Sequence, residues 1–215
     1  MPYSTEIQTQ SAPAEWLETT YPIMEHFHTI QGEGVHTGKS AYFIRTGGCD
    51  VQCWWCDVKD SWDESKHPRI TVRHILENIK LYKPAFVVIT GGEPLLHNLD
   101  DLTTGIRSLG LPVHIETSGS SAISGRIDWV TLSPKRFKKP TEEIYEFTDE
   151  LKVVVLTAKD LQWAKEHAAR CRPGTRLLLQ PEWDTPKSIP LIVDFVKENP
   201  EWGVSLQTHK FLQVP

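Results

Sequence analysis

Phe86-Val87-Val88-Ile89-Thr90-Gly91-Gly92-Glu93-Pro94 is the segment from which the architecture is read. Its apolar run has strand length and no alternation, the pattern of a strand covered on both faces in a parallel sheet. Working outward, Val72, Ile75, Leu76 and Ile79 fall on one helical face behind Thr71, a side chain suited to an N-cap. Leu99, Leu102, Ile106 and Leu109 make the next helix, closed by Gly110. Short apolar runs recur at residues 113–115, 129–132, 153–156, 177–179 and 204–206, and helical patterns at 159–170 and, after Pro190, at 191–199. Before the opening segment lie strands at 23–29 and 41–46, joined through the loop Gln31-Gly32-Glu33-Gly34. Strands alternating with helices predict an α/β fold with a parallel sheet and right-handed crossovers. The connections at 118–128 and 133–150 are weak as helices. An eight-unit barrel takes about 250 residues, so a chain of 215 predicts an incomplete parallel (β/α) barrel. Residues 1–21 read as a poorly ordered arm before a single domain over 22–215.

The composition, 39% hydrophobic and 24% charged, is that of a globular domain. With 23 basic against 28 acidic side chains there is no basic footprint, which argues against direct nucleic-acid binding. No apolar run approaches the ~20 residues of a membrane span, and the first residues lack a secretory pattern. The expected location is therefore the cytoplasm. There, three of four cysteines crowded into Cys49-Asp50-Val51-Gln52-Cys53-Trp54-Trp55-Cys56 read as metal chemistry rather than a disulfide framework. Four thiolates would fully ligate a [4Fe–4S] cluster, and three leave one iron open. A structural zinc site is the alternative, with Asp57 or Cys171 as its fourth ligand. Cys171, alone after a helix, reads as a structural thiol. In the opening segment the Gly pair lets backbone approach a ligand closely, and Glu93 offers a carboxylate to an ammonium.

The spacing Cys49, Cys53, Cys56 with Trp55 before the last Cys, together with the Gly-Gly-Glu-Pro turn, resembles the radical S-adenosylmethionine superfamily. Within it, His28-Thr-Ile-Gln-Gly-Glu-Gly34, with Gly38 and Arg45, resembles the opening segment of the 7-carboxy-7-deazaguanine synthase family. Glu116-Thr-Ser-Gly119, Ser133-Pro-Lys135, Leu151-Lys-Val-Val154, Leu179-Gln-Pro-Glu182 and the tail from Leu206 to Pro215 follow in that family's order, so the resemblance spans about residues 23–215.

The resemblance implies a barrel of the radical S-adenosylmethionine type holding a [4Fe–4S] cluster on Cys49, Cys53 and Cys56. The cofactor is S-adenosylmethionine. The reaction is ring contraction of 6-carboxy-5,6,7,8-tetrahydropterin to 7-carboxy-7-deazaguanine with loss of ammonia, on the route to queuosine and related deazapurines. In it the reduced cluster cleaves the cofactor, and the resulting 5'-deoxyadenosyl radical takes and later returns a hydrogen at C6 of the pterin. By the same resemblance Trp55, Cys56 and Asp57 meet the adenine, and Gly92 and Glu93 the methionine amino group. Glu116, Ser118, Ser133, Pro134, Lys135, Gln180, Pro181, Glu182 and Trp183 complete the cofactor site. Ile30, Gln31, Gly32, Glu33, Arg45, Thr90 and His209 line the pterin side, with Arg45 suited to the substrate carboxylate and the α-carboxylate of Pro215 to the pterin N–H groups. An electron donor such as flavodoxin or ferredoxin and a homodimer are implied as partners. The chain departs from the family in one place: the family continues after its last Cys with Asp-Thr or Asp-Ser, whose hydroxyl reaches a magnesium ion. Here Asp57 is followed by Val58 and Lys59. Mg²⁺ wants oxygen ligands, so the expectation is that it binds weakly or not at all, with Lys59 supplying positive charge in its place.

Overall fold

The computed structural model describes residues 14–215. Among them, nine strands join one sheet: β1 (Thr20–Ile30), β2 (Ser40–Thr46), β3 (Arg69–Thr71), β4 (Phe86–Gly91), β5 (Val113–Thr117), β6 (Trp129–Leu132), β7 (Glu150–Val155), β8 (Arg176–Pro181) and β9 (Trp202–Val204). The order is β3-β1-β2-β4-β5-β6-β7-β8-β9, with β3 and β9 as its two edges, so the barrel is incomplete as expected. From β2 to β9 every pairing is parallel. The first pairings correct the expectation of a wholly parallel sheet: β1 runs antiparallel to both β2 and β3. The cause is connection length. A parallel crossover needs a dozen or more residues, and only residues 31–39 separate β1 from β2.

Residues 1–13 of the expected arm lie outside the described residues. Ordered elements nevertheless begin before residue 22: Glu15–Glu18 form a 3₁₀ turn, and Trp16 and Leu17 pack against the core. Tyr21 is already buried in β1.

Helix α1 (Val72–Ile79) buries Val72, Ile75, Leu76 and Ile79, and the Thr71 hydroxyl accepts from the His74 N–H at 3.2 Å. Helix α2 (Asp100–Ser108) is closed by Gly110 at φ +75°. Residues 118–128 contain no helix, and 133–150 only the single turn α3 (Ile144–Phe147). Helix α4 (Ala158–Ala168) starts from a reciprocal cap between Thr157 and Asp160. Helix α5 (Ser188–Glu198) begins before Pro190 rather than after it. Pro is tolerated in a first turn because its missing N–H has no intrahelical acceptor there. At the C-terminus the expected strand 204–206 is displaced: the buried Trp202 anchors β9, and Val204 and Leu206 face outward. The chain then forms α6 (Thr208–Leu212), whose Thr208 donates from its amide to the Gly32 carbonyl at 2.9 Å. No helix among the described residues is long and apolar enough to cross a membrane.

The Gly pair of the opening segment is explained by backbone packing. Gly91 sits at φ +129°, where a Cβ would overlap the backbone of Thr46, and a Cβ on Gly92 would overlap the Gly48 carbonyl. The closeness is used: Gly92 N–H donates to Thr46 O at 3.0 Å and Glu93 N–H to Gly48 O at 2.8 Å. The turn after β4 is thereby sewn to the backbone immediately before Cys49.

Candidate active site at the carboxyl ends of the strands

Strand ends and their following loops enclose one cavity of about 680 Å³. Cys49, Cys53 and Cys56 line it, together with Trp55 and Asp57. Backbone amides gather round the sulfurs. Those of Val51 and Gln52 hydrogen-bond the Cys49 thiol, and Val58 N–H donates to Cys56 Sγ at 3.4 Å. Gln52 adopts φ +51°, a left-handed residue in a loop whose successive N–H groups make an anion-holding nest. Burial pushes the Cys53 thiol up to about 11, against the pull of the Lys135 ammonium. Three cysteines lining one cavity, two of them with neighbouring amides aimed at their sulfurs, are a donor set that fits an iron–sulfur cluster. Of the two candidates for the fourth ligand that a zinc site would need, Asp57 lines the same cavity and Cys171 does not. Cys171 packs against the core behind α4, its thiol raised to about 11 by burial.

Next to the cysteines stands Glu93, 1% exposed. Its carboxylate accepts from the amides of Leu95 (3.1 Å) and Ser118 (2.8 Å) and the hydroxyls of Thr117 and Ser118 (both 2.5 Å). All four donors are uncharged, so no salt bridge occupies the carboxylate. Gly92, Thr90, Ser118, Ser133 and Lys135 line the same cavity. Lys135 donates to the Ser133 hydroxyl at 2.6 Å and lies 5.5 Å over the Trp55 ring.

A buried charge network lines the same cavity. Lys152 on β7 is ion-paired to Glu33 and lies 3.6 Å from Glu116, its side chain 4% exposed. Burial works against the Glu33 carboxylate. The Lys152 ammonium and hydrogen bonds from Lys152, Gln207 and Gln180 outweigh it and hold the pKa at about 2. The Gln31 carboxamide donates to Glu116 at 3.0 Å and accepts from the Glu33 amide at 3.1 Å. Gln180 accepts from the Ser205 hydroxyl at 2.9 Å, and Glu182 ties down its own turn through Asp184 and Thr185.

Of the residues singled out from the sequence, only Pro134 does not line the cavity; it is buried behind Ser133. Ile30, Gly32, Arg45, Pro181, Trp183, His209 and Pro215 all do. Arg45 is not wholly free for a ligand, since its Nε donates to Glu25 at 2.7 Å. His209 packs on Gly32, where a Cβ would overlap its ring, and Thr29 donates to a terminal oxygen of Pro215 at 3.1 Å. Near Val58 the cation against Asp57 is Lys210, and Lys59 also lines the cavity. Lys210 Nζ is 3.3 Å from Asp57, 3.0 Å from Gln207 and 4.7 Å over the Trp183 ring. Lys152, Gln207 and Lys210 were not among the residues singled out. Lys152 had a signal, a lone charge inside the apolar run Leu151–Val155; the other two lie in a tail whose helix only tertiary contacts reveal.

Residues 43–138 match the Radical SAM superfamily. The chain is 48% identical to 7-carboxy-7-deazaguanine synthase of Flavobacterium psychrophilum, covering 98% of each chain. It is 47% identical to the enzyme of that name from Synechocystis sp., over 94% of this chain and 97% of that one. A crystal structure of QueE from Escherichia coli superposes with a TM-score of 0.80 at 32% identity, over 88% of this chain and 95% of the other. With a cysteine-lined cavity at the strand ends and relatives this similar over nearly their whole length, the chain belongs to the 7-carboxy-7-deazaguanine synthase family of radical S-adenosylmethionine enzymes.

Proposed function

We propose that this chain contracts 6-carboxy-5,6,7,8-tetrahydropterin to 7-carboxy-7-deazaguanine with loss of ammonia. The observation that carries the reading is the cavity's lining: three cysteines and a Glu93 carboxylate held by four uncharged donors, together with the buried charge network of Glu33, Glu116 and Lys152. Cys49, Cys53 and Cys56 hold a [4Fe–4S] cluster. Bound there with S-adenosylmethionine, it supplies the one-electron chemistry that makes a hydrogen-abstracting radical. The chain's own residues bind and enclose. Glu93 takes the methionine ammonium, and its four fixed donors keep the carboxylate from following the ligand. Trp55 and Asp57 meet the adenine, while Ser118, Ser133, Lys135 and residues 180–183 hold the remainder of the cofactor. The pterin lies over Ile30, Gln31, Gly32, Glu33, Thr90 and His209, with Glu116 offering its second oxygen. Arg45 turns its terminal nitrogens to the substrate carboxylate. Enclosure by β strands and the docked tail keeps water from the radical. The reading includes a homodimer in the cytoplasm, reduced by a flavodoxin or ferredoxin.

The residues do not fit magnesium: Val58 brings no oxygen, and Lys210 already neutralises Asp57. The test of the function is anaerobic reconstitution, reduction with dithionite and addition of cofactor with and without the pterin. Expected are 5'-deoxyadenosine, a product of the mass of 7-carboxy-7-deazaguanine, and rates unchanged by a magnesium chelator. Absence of that product refutes the function, and chelator inhibition reversed only by Mg²⁺ refutes the metal reading.

A second prediction concerns Pro215, whose α-carboxylate accepts from the pterin N–H groups. One Gly appended after it shifts the charge by ~3.5 Å. A charge-assisted contact contributes ~1.5–3 kcal/mol, so pterin affinity should fall roughly tenfold to a hundredfold with the iron content unchanged. Unchanged affinity by titration would remove the tail from the site.

A further inference from the structure

The two faces of the β1–β2 hairpin differ in what covers them. On β2, Tyr42 and Ile44 are buried in the core that α1 completes. The alternate residues Phe43 and Arg45 turn to the other face and line the main cavity, as Phe27 does from β1. Cross-strand pairing sets Phe27 against Phe43 and Glu25 against Arg45. The two phenyl rings stack, with centroids 5.7 Å apart and planes within 8° of parallel. Phe43 also packs on the buried Ala41, Phe86 and Val88, which hold it in place. A pair that served the core alone would be buried, as Tyr42 is. Phe27 and Phe43 are only half-buried and present aromatic carbon to the cavity.

What stands on either side of the pair fixes an order. Two residues beyond Phe27 on β1, Thr29 donates to a terminal oxygen of Pro215 at 3.1 Å, and a carboxylate keeps lone pairs for further donors. Two residues beyond Phe43 on β2, Arg45 gives its Nε to Glu25 at 2.7 Å, which leaves its terminal N–H groups for an acceptor. The strands run antiparallel, so these two ends lie in opposite directions from the pair. Thr29 is paired with Ala41, four residues before Arg45, a length of ~13 Å of strand. Between them this face carries only the two phenyl rings. A ligand laid along it meets a carboxylate, then aromatic carbon, then a guanidinium.

We propose that Phe27 and Phe43 are the floor on which the fused ring of the substrate lies. The order of Pro215 carboxylate, aromatic pair and Arg45 guanidinium then selects a two-ring heterocyclic acid whose N–H donors and carboxylate stand at opposite ends. The inference rests on the function proposed above, and adds to it the residues that read the ring and the direction in which it lies. In 6-carboxypterin the 2-amino and 6-carboxyl groups occupy opposite corners of the fused rings, so both ends are satisfied at once. With the carboxyl moved to ring position 7 the molecule is bent, and Arg45 is reached only by giving up Pro215 or the floor. Covering the two phenyl rings removes apolar surface from water, which favours binding without regard to direction; the polar ends supply the direction.

The probe is 6-carboxypterin, the oxidised acid, which has no hydrogen at C6 for a radical to take and is therefore bound without turnover. It is titrated calorimetrically into the anaerobically reconstituted enzyme with S-adenosylmethionine present. Phe43→Leu and Phe27→Leu should each weaken its binding roughly threefold to tenfold, with iron content and cofactor affinity unchanged. Loss of the charge-assisted contact at Arg45 should make 7-carboxypterin bind the wild type roughly tenfold to a hundredfold more weakly than the 6-isomer. A crystal structure of the complex should show the fused ring across both phenylalanines with its carboxylate at Arg45. Of the two, Phe43 is the one packed on Ala41, Phe86 and Val88, so Phe27→Leu carries the test if Phe43→Leu does not fold. Wild-type affinity in the folded Phe variants, equal binding of the two isomers, or a ring placed away from the pair overturns the floor while leaving the function standing. No binding of 6-carboxypterin to the wild type refutes the function and the floor together, so the two failures are distinguishable.

Discussion

Alanine at Cys49, Cys53 or Cys56 is expected to abolish both cofactor cleavage and iron binding, whereas alanine at Cys171 leaves both intact. Each of the three cysteines lines the large cavity, and amides are aimed at the sulfurs of Cys49 and Cys56. Two remaining thiolates cannot hold a cube that already has one iron without a protein ligand, so iron should drop from about four per chain to background. Folding should survive, because these thiols sit at a cavity wall rather than among the sheet's core side chains. Cys171 is the internal control. It donates to the His167 carbonyl at 3.5 Å and packs beside α4, so its removal costs ~1 kcal/mol of stability and no iron. Iron analysis, the visible charge-transfer absorbance and thermal melts of the four variants make the test. A full cluster in Cys53→Ala, or a lost one in Cys171→Ala, would overturn the ligand assignment.

The elements legible in the sequence are those whose pattern is set locally. The run Phe86–Ile89 has no polar alternation because both of its faces are buried, and Thr71 caps α1 with its own hydroxyl. The cysteine loop and the Gly-Gly-Glu-Pro turn were separately readable. What joins them, the bonds from Gly92 and Glu93 to Thr46 and Gly48, is a contact between distant segments that no spacing reveals. The direction of β1 was hidden for a similar reason, since strand patterning carries no sign of which way a neighbour runs. The tail shows the limit most clearly. Thr208-His-Lys-Phe-Leu212 is too short to form a helix alone. It is held by Thr208 on Gly32 and His209 against the same glycine, so the positions of Gln207 and Lys210 in the site depend on that docking. The sequence positions of Glu33 and Glu116 suggest ligand contacts alone, yet both also face a partner within the chain, and that partner is Lys152.

Replacing Lys152 with Met is expected to destabilise the fold by ~3–5 kcal/mol at neutral pH, the cost of leaving a buried partner charge uncompensated. The ammonium is 4% exposed and sits against Glu33 and Glu116. Burial alone would discharge it, but Glu116, Glu33 and Glu150 together hold its pKa above the ordinary lysine value. That contribution is fully present below the unfolded lysine pKa of ~10.4, so it does not vary between pH 3 and 8. The acid-range dependence comes from Glu33. Its folded pKa of about 2 lies below the ordinary value of 4.5, so the stability it contributes is present above pH 4.5 and fades as pH falls toward 2. In Lys152→Met the sign reverses: without the ammonium, burial raises the Glu33 carboxyl, which then favours the folded state only while protonated. The difference in unfolding free energy between wild type and variant should therefore widen from pH 3 to pH 7. Adding Glu33→Gln to Lys152→Met should recover part of the loss, because it removes one of the stranded charges, and the double-mutant cycle isolates the pair. Urea unfolding of the single and double variants across that pH range measures all of this. A gap that is small, or flat with pH, would mean that water reaches Glu33 and Lys152 and that the charged wall of the cavity is not dry.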